Sequence, residues 1–188
     1  MITLRHFLLL VIGLTIFVPS LSAQQRDHLT PQEVDLVKEA QVLDKRIDVF
    51  IKAADRRILV LNGGPTTSPN AKPSKKEAKE AELWGELPTG SRAELVSDIA
   101  RILDEAITNI DDVSSRDERN PLIAKSLRRL AQATNTIMEQ LKPLRVQAKS
   151  DAEIASFEML NEDAQSILEA VNKLPPEPVD KKGKTKGN

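Results

Sequence analysis

The chain has 188 residues, a single domain's worth, with 27 basic and 28 acidic side chains and a formal net charge of -1. That balance excludes a global electrostatic pull toward nucleic acid or an anionic membrane. Aromatics at 3%, with Tyr and Cys absent, argue against a strand-rich or disulfide-stapled fold and remove any thiol nucleophile, while abundant Ala, Leu, Ile, Glu, Lys and Arg favour helix.

Arg5 and His6 make a weakly positive start, and residues 7–18 form an uncharged apolar run of twelve. Pro19 and Ser20 break it, and Leu21, Ser22 and Ala23 place a small residue before Gln24. This is the layout of a secretory signal peptide, so residues 1–23 are expected to be a signal helix removed on export, leaving a periplasmic or secreted protein. The alternative is an uncleaved anchor, but the run is shorter than the about 20 apolar residues that span a membrane. No stable membrane span is expected after cleavage. An exported chain without Cys must draw its stability from a packed core or a partner.

Thr30, Ser74, Ser91 and Ser150 are each followed three residues later by Glu, at 33, 77, 94 and 153. Each is the pattern of a capping box. The first of them opens a long first helix, predicted over 31–61 within the segment 24–61, with Pro31 at its first position. Ala40, Leu43, Ile47, Phe50, Ala54 and Leu61 follow its apolar stripe, with Arg57 interrupting the series. Gly63 and Gly64 stop it, at a length of about 46 Å. Residues 62–90 read as a Pro/Gly-rich linker holding a short helix at 75–84. Residues 91–174 read as a three-helix core. Its second helix, 92–112, is lined by Leu95, Ile99, Ile102, Ala106, Ile110 and Val113. Its third is capped by Asn120 and carries Ile123, Leu127, Leu130, Thr134, Ile137, Leu141, Leu144 and Ala148 in steps of four and three. Its fourth, 151–173, turns Phe157, Leu160, Ala164, Ile167, Val171 and Leu174 inward. Residues 175–188 are Pro, Lys and Gly-rich and are expected to be disordered. The predicted fold class is all-α: an up-and-down bundle of four long helices with a short extra helix, an N-terminal signal helix and a disordered tail.

Beyond the signal segment the chain has one histidine, His28. No Ser-His-Asp set on regular structure, no paired Glu-x-x-His motif and no phosphate loop can be drawn from it. No catalytic, cofactor-binding or metal residue is therefore assigned, and no cofactor is expected. Asp104, Glu105, Asn109, Asp111, Asp112, Asp117 and Glu118 crowd one helix end against its macrodipole. They read either as a Ca²⁺ or Mg²⁺ site or, preferred for want of a turn glycine, as a solvated end neutralised by Arg116, Arg119 or Arg128. Trp84 reads as a partner anchor or, preferred, as closing one bundle end with Leu83 and Leu87. Arg56, Arg57, Arg128 and Arg129 are expected to snorkel outward. Ile51, Ile58 and Val60 widen the first helix's stripe and are the candidate client surface of a chaperone. The acidic N-terminal half of that helix is expected to overhang, with Val34, Leu36, Val37 and Leu43 free for self-association or a protein partner.

Leu29, Thr30, Pro31, Gln32 and Glu33 resemble the Leu-Thr-x-x-Gln motif of small exported helical chaperones such as Spy and CpxP, with Glu33 in place of Gln. The resemblance covers five residues and implies a cradle-shaped dimer that holds unfolded clients. The residues themselves point to a non-enzymatic exported interaction or structural protein of the cell envelope. A periplasmic Spy/CpxP-like chaperone is the first alternative, and a metal-binding protein or enzyme the second.

Overall fold

The computed structural model describes residues 26–64 and 75–175. The expected signal segment, the stretch 65–74 and the tail from 176 lie outside them. The described residues are all-helical: α1 Pro31–Glu39, α2 Leu43–Leu61, α3 Lys75–Trp84, α4 Arg92–Arg116, α5 Pro121–Val146 and α6 Asp151–Asn172.

The local start signals act as read. Thr30, Ser91 and Ser150 each accept the N–H of the Glu three residues on, and that Glu accepts the N–H of the cap in return. Asn120 Oδ1 takes the Leu122 N–H at 3.0 Å. α4 runs on to Arg116, beyond the predicted 112, and α5 continues through Pro143 to Val146.

The single helix predicted over 31–61 is two helices. α1 ends at Glu39 and α2 begins at Leu43, although the bend contains neither Gly nor Pro. A tertiary contact makes the bend: Arg46 donates from Nε to the Ala40 carbonyl at 3.0 Å and from Nη1 to Asn109 on α4 at 3.1 Å. The bend also abolishes the expected overhang. α1 packs on α2, Leu43 is buried, and Val34 and Val37 lie against the core.

Charge pairs between helices give their directions. Asp44 meets Lys125 and Asp48 meets Arg129, so α2 and α5 run parallel. Arg46 meets Asn109 and Arg57 approaches Asp98, so α2 and α4 are antiparallel. Arg92 pairs with Glu153 at the start of α4 and α6, and Asp104 faces Asp163 further along, so these two are parallel. Direction alternates along the chain, yet the order around the core is α2, α4, α6, α5, and α4 meets α5 less extensively than it meets α6 or α2. The arrangement is compatible with a helical bundle.

Its core is one apolar cluster from all four of these helices. Ile47, Phe50, Ile99, Ile102, Leu130, Ile137, Leu160 and Ile167 are sealed from solvent, at 1% exposure or less. Ile51 and Ile58 belong to it as well, so the surface expected to face chaperone clients is interior. The 85–91 connection lies tightly on the N-terminal segment. Gly85 takes the left-handed φ of 64° that ends α3, and a Cβ there would meet the Gln32 side chain at 2.9 Å.

Candidate functional site

The most unusual feature inside the bundle is a layer of ions. Arg57, the residue that interrupts the apolar series of α2, does not snorkel outward: it is 1% exposed. Its Nη1 donates to Glu33 Oε1 at 2.7 Å and to the Ala53 carbonyl at 2.8 Å, and its Nη2 donates to the His28 carbonyl at 2.6 Å. Glu33 is fully buried, and its second oxygen accepts the Thr30 N–H at 2.9 Å. One carboxylate thus closes the capping box of α1 and neutralises a guanidinium two dozen residues away.

Asp98 of α4 extends the layer. Its Oδ2 lies 3.8 Å from Arg57 Nε and accepts from Arg26 Nη2 at 2.8 Å. Burial pushes the Asp98 carboxyl above its ordinary range, against the pull of Arg26 and Arg57. Arg26 also lies within 3.9 Å of Glu94. On the outer side, His28 Nε2 is 2.7 Å from Glu105 Oε2 and its Nδ1 is 3.7 Å from Asp27. Arginine and carboxylate side chains of α2 and α4 therefore pin the segment 26–33 to both helices.

Arg56, beside Arg57, is also buried and also does not snorkel. Its guanidinium donates to the carbonyls of Trp84 at 2.6 Å, Gly85 at 3.3 Å and Glu86, and stands 5.5 Å from the Trp84 ring centroid. A cation on the last carbonyls of a helix complements its negative end. Burial lowers the Arg56 pKa from its ordinary value, while Glu33 opposes that shift. With the Lys52–Glu80 ion pair, Arg56 fastens α3 to α2.

Several openings border the layer. One, of about 640 Å³, is edged by Arg26, His28, Arg101, Asp104, Glu105 and Thr108. Glu105 can orient the His28 ring there through its contact with Nε2. Another, of about 380 Å³, lies between α2 and α3 and is lined by Leu59, Ala81, Trp84 and Leu87. Trp84 is half-buried against the core, while Leu83 points outward at 54% exposure. Leu83 therefore does not help to close the bundle end.

The acidic cluster is dispersed. Glu105 is taken by His28, Asn109 by Arg46, and Asp112 by Arg116 at 3.0 Å. Asp111, Asp117 and Glu118 are exposed. Among the described residues no group of three His, Cys, Asp or Glu is arranged to hold a metal ion, and no helix is long and apolar enough to cross a membrane.

Sequence reasoning found Thr30 and Glu33 as a cap but missed the ionic layer. The signal was present at Arg57, an ionisable residue where the stripe demands an apolar one. Comparison with known protein families, curated proteins and solved structures finds no match for this chain.

Proposed function

We propose that this chain is an exported, non-enzymatic helical protein of the cell envelope that works by binding another protein or a second copy of itself. In this reading it is an up-and-down bundle of four long helices, α2, α4, α5 and α6, to which α1 and α3 are fastened. The observation that carries the reading is how the buried ions are used. Glu33, Arg56 and Arg57 are engaged by other atoms of the chain, and each contact attaches a peripheral segment to the bundle. Ionisable groups tuned for catalysis are left free to meet a reacting molecule, whereas Glu33 is fully buried and Arg56 and Arg57, though each edges an opening, spend their guanidinium donors on Glu33 and on carbonyls of the chain itself. The apolar run at 7–18 and the small residue at Ala23 support export. Exposed Leu83 and Leu59 beside Trp84 support a protein-binding role.

Cell fractionation with intact-mass analysis tests the export half of the proposal. A chain beginning at Gln24 in the envelope or culture fluid is the expected outcome, and full-length protein in the cytosol would sink it. A photo-crosslinking residue at Leu83, with exposed Lys75 as the control site, tests the binding half in living cells. A discrete adduct at 83 and none at 75 is expected. Adducts at neither position, together with a monomeric protein at all concentrations, would defeat it.

A further inference from the structure

We propose that α1 is an exchangeable arm: the segment 26–39 docks either on its own α2, as in this structure, or on the α2 of a second copy, with α1 and α2 then joined into one continuous helix. This deepens the self-association named under the proposed function and rests on it.

The bend at 40–42 is made of Ala40, Gln41 and Val42. None is a helix breaker, and Ala and Gln are good helix formers. Intrinsic propensity therefore runs toward an unbroken helix, and the bend is held by hydrogen bonds, from Gln41 to the Lys38 and Glu39 carbonyls and from Arg46 to the Ala40 carbonyl. The bend also leaves a cost at the start of α2. Val42 has no side-chain acceptor and caps nothing, so the orphan N–H groups of that first turn lack the partner a Ser, Thr, Asp or Asn would supply. Joining the helices would give those groups the carbonyls at the end of α1 and in the bend, beginning with the Leu43 N–H on the Glu39 carbonyl and the Asp44 N–H on the Ala40 carbonyl.

Against that stands the ion pair. Glu33 and Arg57 are separated by 24 residues and meet at 2.7 Å. Along a continuous helix the same separation is about 36 Å. A straight helix and this contact cannot coexist in one chain. They can coexist in two, with each copy's Glu33 meeting the other's Arg57. The remaining anchors of the arm transfer equally well. Arg26 would find the second copy's Asp98, and Gln32 its Gly85, because those partners do not belong to the arm. Exchange of identical elements is a low-cost route to a dimer, since it reuses contacts that already exist.

Light scattering over a concentration series, on the chain as isolated from its cells, reads the dimer. Val42→Asp supplies the missing cap at a half-exposed position, and so stabilises the bent form. An Asp cap is worth about fivefold, so two bends per dimer should raise the dimer dissociation constant about 25-fold. Arg46→Ala releases the Ala40 carbonyl and should lower that constant severalfold. Mixing Glu33→Arg protein with Arg57→Glu protein gives the decisive arm. Each alone buries like charges at its docking site. In a mixed exchanged dimer one site regains the native pair and the other a reversed pair, so heterodimer should form in preference to either homodimer. A dimer that ignores both Val42→Asp and Arg46→Ala would overturn the exchange but leave self-association standing. A chain that stays monomeric at every concentration, Arg46→Ala included, would also overturn it, while leaving the crosslinked partner of the proposed function untouched. If the charge-reversed proteins do not fold, the two bend variants decide the matter alone.

Discussion

Replacing Glu33 by Gln keeps the shape and the acceptor for the Thr30 N–H but removes the charge that Arg57 and Arg56 face at 2.7 and 3.4 Å. Arg57 is 1% exposed, so its cation cannot turn to water. Stripping one partner from a buried pair costs about 3–5 kcal/mol, about a fifth or more of the about 5–15 kcal/mol that holds a typical domain together. Urea unfolding followed by circular dichroism should show the midpoint fall by that fraction with little change in slope. The double variant Glu33→Leu with Arg57→Met should recover most of the loss, because both charges leave the interior together. The cycle of single and double variants should then give a coupling of at least about 2 kcal/mol. A cost below about 1 kcal/mol for Glu33→Gln would mean that the pair behaves as an exposed one does, and the account of the layer would be wrong.

Asp163, half-buried on α6, is pushed up to about 6 by burial and by the neighbouring charges of Asp104 and Glu162. The fold therefore favours its protonated form: stability should drop as pH rises from the ordinary carboxylate range through 6. Asp163→Asn should stabilise by about 1–2 kcal/mol at pH 8 and hardly at all at pH 4, by thermal melts at both pH values; equal effects at the two would refute it. Arg56→Lys should free α3, because one ammonium cannot reach three carbonyls and lie over Trp84. Hydrogen exchange should accelerate at least about fivefold in the last turn of α3 and stay unchanged in α5 if that clamp is worth about 1 kcal/mol. Leu130→Ala, at a fully buried site of α5, should cost about 2–5 kcal/mol, whereas substitutions at exposed Lys75 should stay within about 0.5 kcal/mol. An unchanged thermal midpoint for Leu130→Ala would count against the packing of α5.

What was legible from residues alone was whatever a few neighbours decide. The three capping boxes, the Asn120 cap and the glycine stop after α2 are each written in four or five consecutive residues, and the inward stripe of α5 is a plain periodicity. The bend at Ala40 was not legible, because its cause sits at Arg46 and Asn109, six and 69 residues further along. The outward placement expected of Arg56 and Arg57 failed for a related reason. Snorkelling is the usual outcome for a long cation on a helix flank, and it gives way only when an acceptor is brought to the interior. For Arg57 that acceptor is Glu33, whose position depends on the bend itself, and for Arg56 it is the set of carbonyls at the end of α3. The overhang and the solvent-facing Arg57 thus had one cause, whereas Ile51 and Ile58 are interior because they belong to the core that α2 builds with α4, α5 and α6.

The side-by-side placement of like-directed helices bears on how the chain reaches its fold. The Asp44–Lys125 and Asp48–Arg129 contacts each close a loop of 81 residues, and α4 and α5, joined by a four-residue turn, lie mostly across the core from one another. A nascent α4–α5 hairpin therefore gains little until α2 and α6 arrive to fill the two sides. Such long closures carry their entropy cost before any contact rewards it, and slow folding accordingly. Refolding should run slower than in bundles whose consecutive helices are neighbours. The rate-limiting step should be the meeting of α2 with α5, so that weakening Asp48–Arg129 slows refolding if that contact is formed at the barrier and otherwise only hastens unfolding.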